Sequence, residues 1–132
     1  MNRPPLEQAA LDAKRFAYAP YSKFHVGAAV RVDGEVFTGV NVENASFPLS
    51  VCAERNAIAA AILAGKHHLE EVAVATDASP PSAPCGGCRQ VLREFAADPD
   101  HVRITAINSQ GERRAWTLGQ LLPDSFTGAE LP

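Results

Sequence analysis

The chain has 132 residues, 46% of them hydrophobic and 20% charged, with a formal net charge of −3 from 12 basic and 15 acidic side chains. That size and balance fit a single domain over residues 1–132 with one core. No Lys/Arg run exceeds two residues, which argues against a polynucleotide partner, and no apolar run reaches the roughly 18 residues of a membrane span. The start, MNRPPLEQAALDAKRF, lacks a signal-peptide pattern, so a cytoplasmic protein is expected. Three cysteines in such a chain point away from a disulfide framework and towards metal binding, thiol chemistry or core filling.

In chain order, LEQAALDAKRFAYA (6–19) carries helical spacing, with Leu6, Ala10, Ala13 and Ala17 on one face and Pro20 as its limit. FHVGAAVRV and EVFTGVNV are β-like runs flanking Asp33-Gly34, which predicts a hairpin. NASFPLS reads as a loop. VCAERNAIAAAILAG (51–65) is a second helix, stopped by Gly65. EVAVAT (71–76) is a buried strand, and DASPPSAP is a loop. CGGCRQVLREFAA starts a third helix on glycines. RITAIN and RRAW are strands joined by a turn too short for a parallel crossover, so they should pair antiparallel. TLGQLL is a last short helix. Strands alternating with helices predict a sheet covered on both faces.

The first turn of the second helix concentrates chemistry. Cys52, Glu54 and Arg55 sit within four residues at the mouth of an otherwise Ala-rich segment. Cys85 and Cys88 form PCGGC, where i and i+3 face one side of a helix and the glycines leave the backbone accessible. The pair suits tetrahedral zinc, but also thiol redox or two structural cysteines. Cys52 tilts the balance, because a redox pair needs no third thiol and a zinc site does. Two helix N-termini, each carrying roughly half a positive charge, would stabilise three thiolates. Zn²⁺ with three thiolates is net −1, and Arg55 could offset that by hydrogen bonding to the sulfurs. Four histidines could close the fourth position. His67 and His68 read as a solvated helix end, and His25 lies on a β run. His101, with twelve residues between it and Cys88, is the rival ligand, but no partner histidine follows it and the ββα order is absent. Glu54 favours an open position, where a carboxylate beside a zinc-bound water can take and return its proton.

Cys-Ala-Glu followed by Pro-Cys-x-x-Cys resembles the zinc nucleobase and nucleoside deaminases. The stretches YAPYSKFHVGAAV, NVENAS, CAER, PCGGCRQVL and LLPDSF extend the likeness, in order and over nearly the whole chain, to the small cytidine deaminases of pyrimidine salvage. The resemblance implies an α/β protein of three-layer α/β/α architecture with a five-stranded mixed sheet, commonly a homotetramer. It implies one Zn²⁺ per subunit on Cys52, Cys85 and Cys88, with Glu54 as proton shuttle for zinc-bound water and Arg55 supporting the thiolates. Asn41 and Glu43 would hold the ribose. Phe24 would pack on the pyrimidine, and Ala53 would also line the substrate site. Phe47 and Phe126 would reach sites of neighbouring subunits, Phe47 standing where relatives often have Tyr. Independently, Asn41 and Glu43 are i, i+2 on a strand-like run and so should share a face. The expected reaction is hydrolytic deamination of cytidine or deoxycytidine. Rival readings are an antibiotic-nucleoside deaminase, a polynucleotide-editing deaminase and a non-catalytic zinc module.

Overall fold

The structure, a computed structural model, describes residues 5–132. Its elements are α1 (Pro5–Lys14), β1 (Gly27–Val32), β2 (Glu35–Val40), α2 (Ala53–Leu63), β3 (Leu69–Ala75), α3 (Gly86–Glu94), β4 (Arg103–Ile107), β5 (Arg113–Thr117) and α4 (Leu118–Leu121), with single 3₁₀ turns at Phe47–Leu49, Pro99–His101 and Gly128–Glu130. The five strands form one mixed sheet in the order β2-β1-β3-β4-β5. Only β3 and β4 run parallel, and α3 lies in the crossover between them. The last pair, β4 and β5, is antiparallel as its short connection requires.

Alternation along the central strands separates two cores. Ala28, Val30, Val32, Val72, Val74 and Ile104 face α2 and α3, where they meet Ala53, Ala57, Ile58, Ala61 and Leu92. The opposite face is built from small residues, Ala29, Ala73 and Ala75, and receives Leu6 and Ala10 of α1. Period two on the strands and period 3.6 on the helices thus give the expected three layers. Two glycines set how closely the outer layers approach. A Cβ at Gly27 would lie 2.2 Å from Ala10 O, and one at Gly39 would lie 2.4 Å from Ala57 N. Only a missing side chain lets α1 and α2 sit down on the sheet there.

The Asp33-Gly34 turn has φ values of +48° and +79°, the double left-handed geometry that closes a two-residue hairpin. Helix α1 is shorter than its sequence period suggests. It ends at Lys14, and the following backbone is drawn into extended pairing instead. Tyr18 bridges Val42, its N–H donating to Asn41 O and its carbonyl accepting from Glu43 N. Ala17 therefore does not continue the helical face. Glu7 of α1 is buried and ion-paired with Arg113 of β5.

Candidate metal centre

Cys52 and Cys85 occupy equivalent places. Each is the N-cap of its helix, with extended backbone (φ −72°, ψ 154° and φ −66°, ψ 166°), so its Sγ stands at a positive helix end. Cys88 lies one turn into α3 and is fully buried. The sulfurs of Cys52 and Cys85 are 4.0 Å apart, those of Cys85 and Cys88 3.4 Å, and all three lie within 4.8 Å of one another. A disulfide needs about 2.05 Å. Two sulfurs placed tetrahedrally around zinc at about 2.3 Å are about 3.8 Å apart. The spacing therefore fits a shared metal ion and not a bond between the cysteines.

Electrostatics split the three thiols. Hydrogen bonding from Cys88, helped by Cys85 and by the charge of Arg55, draws the Cys52 thiol down to about 6 against the opposing effect of burial. Cys88, the hydrogen-bonding partner, is pushed up. Arg55 is exposed and, among the described residues, shares no hydrogen bond with the sulfurs. Its effect on Cys52 is one of charge.

No histidine among the described residues joins the sulfur group. His101 has an 85% exposed side chain and pairs with Asp98, Nδ1 to Oδ2 at 2.7 Å. His25 pairs with Asp77 at 3.2 Å. His67 and His68 are exposed and donate their backbone N–H groups to Asp33. The imitation of a zinc-finger half by Cys85, Cys88 and His101 is a coincidence of spacing, because the intervening helix carries His101 away.

Beside the sulfurs lies a cavity of about 220 Å³ at the carboxyl end of β3, the place where open α/β sheets bind ligands. Phe24, Asn41, Cys52, Ala53, Glu54 and Cys85 all line it. Glu54 is 4% exposed. Burial pushes its carboxyl up to about 7, with the Cys52 charge acting in the same direction and its own backbone N–H opposing. It can therefore hold or release a proton near neutrality. A larger hollow of about 530 Å³ between α1 and β2, lined by Asp12, Phe16 and Val40 among others, holds none of these groups.

Asn41 and Glu43 follow β2, which ends at Val40, and they divide their tasks. Asn41 Oδ1 accepts from Val26 N at 2.9 Å and Nδ2 donates to Phe24 O at 2.8 Å, so the amide braces the segment bearing Phe24. Glu43 lines a neighbouring hollow of about 380 Å³ with Tyr21, Ser22, Phe47 and Ser50. Phe47 and Phe126 are 69% and 56% exposed. Phe47 meets the edge of Tyr21, with ring centroids 5.8 Å apart. The Phe126 backbone is tied to α3 by Gln90, whose Nε2 donates to Phe126 O at 2.9 Å. Ser22, which the sequence does not single out, lines this hollow from the turn-prone stretch APYSKF, two residues before Phe24.

Three thiols at metal spacing stand beside a neutral-range carboxyl on one cavity, an arrangement suited to metal-assisted hydrolysis. Residues 4–115 match the family model described as the cytidine and deoxycytidylate deaminase zinc-binding region. A cytidine deaminase of Halalkalibacterium halodurans is 41% identical over 132 residues, covering 99% of this chain and 98% of that one. One from Mycobacterium tuberculosis is 41% identical over 124 residues, 93% of this chain and 88% of that one. The crystal structure of cytidine deaminase from Burkholderia pseudomallei, 46% identical, superimposes with a TM-score of 0.87 over 96% of this chain and 100% of that one. The chain belongs to the cytidine deaminase family. It is an enzyme of that family, with one zinc per subunit.

Proposed function

We propose that this enzyme hydrolyses cytidine and 2′-deoxycytidine to uridine and 2′-deoxyuridine, releasing ammonia, as a step of pyrimidine salvage in the cytoplasm. The observation that carries the reading is Glu54, a buried carboxyl poised near neutrality on the cavity that also exposes two of the three thiols. Cys52, Cys85 and Cys88 would hold zinc through Sγ, and the bound metal supplies an acidified water as nucleophile. Glu54 takes a proton from the attacking water and passes it to N3 of the pyrimidine. It then moves the proton of the new C4 hydroxyl to the 4-amino group; C4=O forms as the C4–N bond breaks, and the amine leaves as ammonia. A pKa near 7 suits both directions of transfer, because neither form is strongly held.

The rest of the site serves recognition. Phe24 offers a flat face to the ring, and Ala53, with no side-chain bulk beyond Cβ, leaves room beside it. Asn41 fixes Phe24 and keeps one amide hydrogen for the sugar. Glu43 accepts from a sugar hydroxyl in the neighbouring hollow, so that base and sugar occupy adjoining spaces. Arg55 tempers the charge of the thiolates. The single domain of residues 1–132 assembles as a homotetramer in which Phe47 and Phe126, exposed in one subunit, reach the sites of its neighbours. No helix among the described residues is long and apolar enough to cross a membrane.

The test is ammonia release from purified protein offered cytosine, cytidine, deoxycytidine, CMP and blasticidin S. Turnover of the two nucleosides, with little on the free base or the monophosphate, is expected. Preference for blasticidin S would replace the nucleoside reading with that of an antibiotic-inactivating enzyme.

A further inference from the structure

The segment from Tyr21 to Phe24 joins the two halves of the proposed substrate site through one hydroxyl. Glu43 Oε1 accepts from the backbone N–H groups of Tyr21, at 3.0 Å, and Ser22, at 3.1 Å. Glu43 Oε2 accepts from Ser22 Oγ. Ser22 Oγ in turn accepts from Phe24 N at 3.0 Å. Lys23, between them, sits at φ +60°, a left-handed conformation that side chains other than glycine adopt at a cost. The turn is thus held by bonds on both sides of its strained residue. Ser22 hydrogen bonding, followed by that of the backbone N–H groups, also holds the Glu43 carboxyl below the usual carboxylate range.

From this arrangement we infer that Ser22 is a positioning residue for substrate recognition: its hydroxyl fixes the Glu43 carboxylate at the sugar end and the Phe24 backbone at the ring end in one unit. This rests on the roles proposed above for Glu43 and Phe24. Two N–H groups occupy Oε1. Among the described residues Oε2 takes only the serine hydroxyl, which leaves it acceptor capacity for a sugar hydroxyl in the hollow that Glu43 lines. Without the serine donor, Oε1 stays on its two N–H groups but Oε2 loses its fixed partner, so the carboxylate can swing about that anchor, and the Phe24 N–H loses its acceptor. Ser22 touches neither the metal ligands nor Glu54, so its loss should weaken binding of the nucleoside and leave the chemical step alone.

The experiment compares steady-state kinetics of Ser22→Ala, Ser22→Cys and Ser22→Thr on cytidine and on 2′,3′-dideoxycytidine, with zinc counted per chain. Because Oε1 keeps its two N–H donors, Ser22→Ala should lose only part of what a hydrogen bond to a charged group supplies, a rise in KM for cytidine of about 5–50-fold. The turnover number should stay within about threefold and zinc at one per chain. Dideoxycytidine, which keeps only the 5′-hydroxyl and offers Glu43 neither a 2′- nor a 3′-hydroxyl, should show a clearly smaller rise if Glu43 accepts from the ring hydroxyls of the sugar. Ser22→Thr keeps the hydroxyl and should recover most of the cytidine KM. Ser22→Cys, close in size but a weak donor, should behave as Ser22→Ala does, and it decides the matter should the alanine variant fail to fold. Equal effects on both nucleosides, or a fall in turnover with KM unchanged, would overturn the assignment and leave Ser22 a structural turn residue. Glu43→Ala separates the two levels. If it raises the cytidine KM while the Ser22 variants do not, the sugar-end reading stands and the serine role falls. If Glu43→Ala leaves the KM unchanged, the sugar-end reading itself falls.

Discussion

The metal end of the site and the proposed sugar end are built by different means. At the metal end, Cys52 and Cys85 cap two helices, Cys88 is buried in α3, and Glu54 is sealed by the core. Every group there is positioned by packing within one subunit. At the sugar end, Glu43 is held by a surface turn, and Phe47 and Phe126 stand in solvent. Burial is what makes a carboxyl useful for proton transfer, since it raises Glu54 to about 7. Glu43, in water and among donors, is shifted down instead and stays a permanent acceptor. The same side-chain type is shifted in opposite directions because one copy is desolvated and the other is not.

That contrast predicts that damage at the metal end abolishes chemistry, while damage at the sugar end costs affinity. The largest effect should come from Glu54→Gln. The amide keeps the shape and can still hydrogen-bond, but it moves no proton. Turnover should fall by about 10⁴-fold or more, the upper end for an acid–base group, with fold and zinc intact. Activity within about tenfold of wild type would remove the distinction between the two carboxylates.

Next comes Cys85→Ala, which leaves two thiols for the metal and takes a ligand from the start of α3. Zinc per chain, measured on the purified variant, should drop well below one, and activity with it. His101→Ala should change neither, since that ring is paired with Asp98. Metal loss in the histidine variant would favour a closed zinc module.

Glu43→Ala sharpens the comparison from the other side. The loss of a charge-assisted hydrogen bond predicts about a 10–150-fold fall in kcat/KM for cytidine, with full zinc. Zinc loss in this variant would mean that the two ends are not separable.

The smallest effect should be that of Phe126→Ala, a rise of several-fold in KM for cytidine and a weaker assembly, with zinc retained. Equilibrium ultracentrifugation paired with activity on dilution measures both. A fully active monomer would show that one subunit completes its own sugar end.

Much of the metal end was legible in the chain. Cys52, Glu54, Cys85 and Cys88 lie within the first turns of two helices whose Ala- and Leu-rich continuations mark them as core elements, and local spacing then sets where the side chains can point. The Asp33-Gly34 hairpin, the antiparallel β4–β5 pair and the two-faced sheet follow from equally local rules of turn chemistry and alternation. Tertiary structure decided the rest, because the contacts concerned are distant in sequence. The path of the chain after Lys14 depended on Tyr18 meeting Val42, which overrides helical periodicity in a segment too short to hold its own helix. Arg15 and Phe16 accordingly lie beyond α1. Glu7 is buried only because Arg113 arrives from the far end of the chain. His101 has a ligand's spacing, but helix α3 and the turn after it direct it to Asp98. The link from Glu43 through Ser22 to Phe24 joins residues up to 21 apart, and no periodicity records a hydrogen bond made by a turn folding back on a strand end.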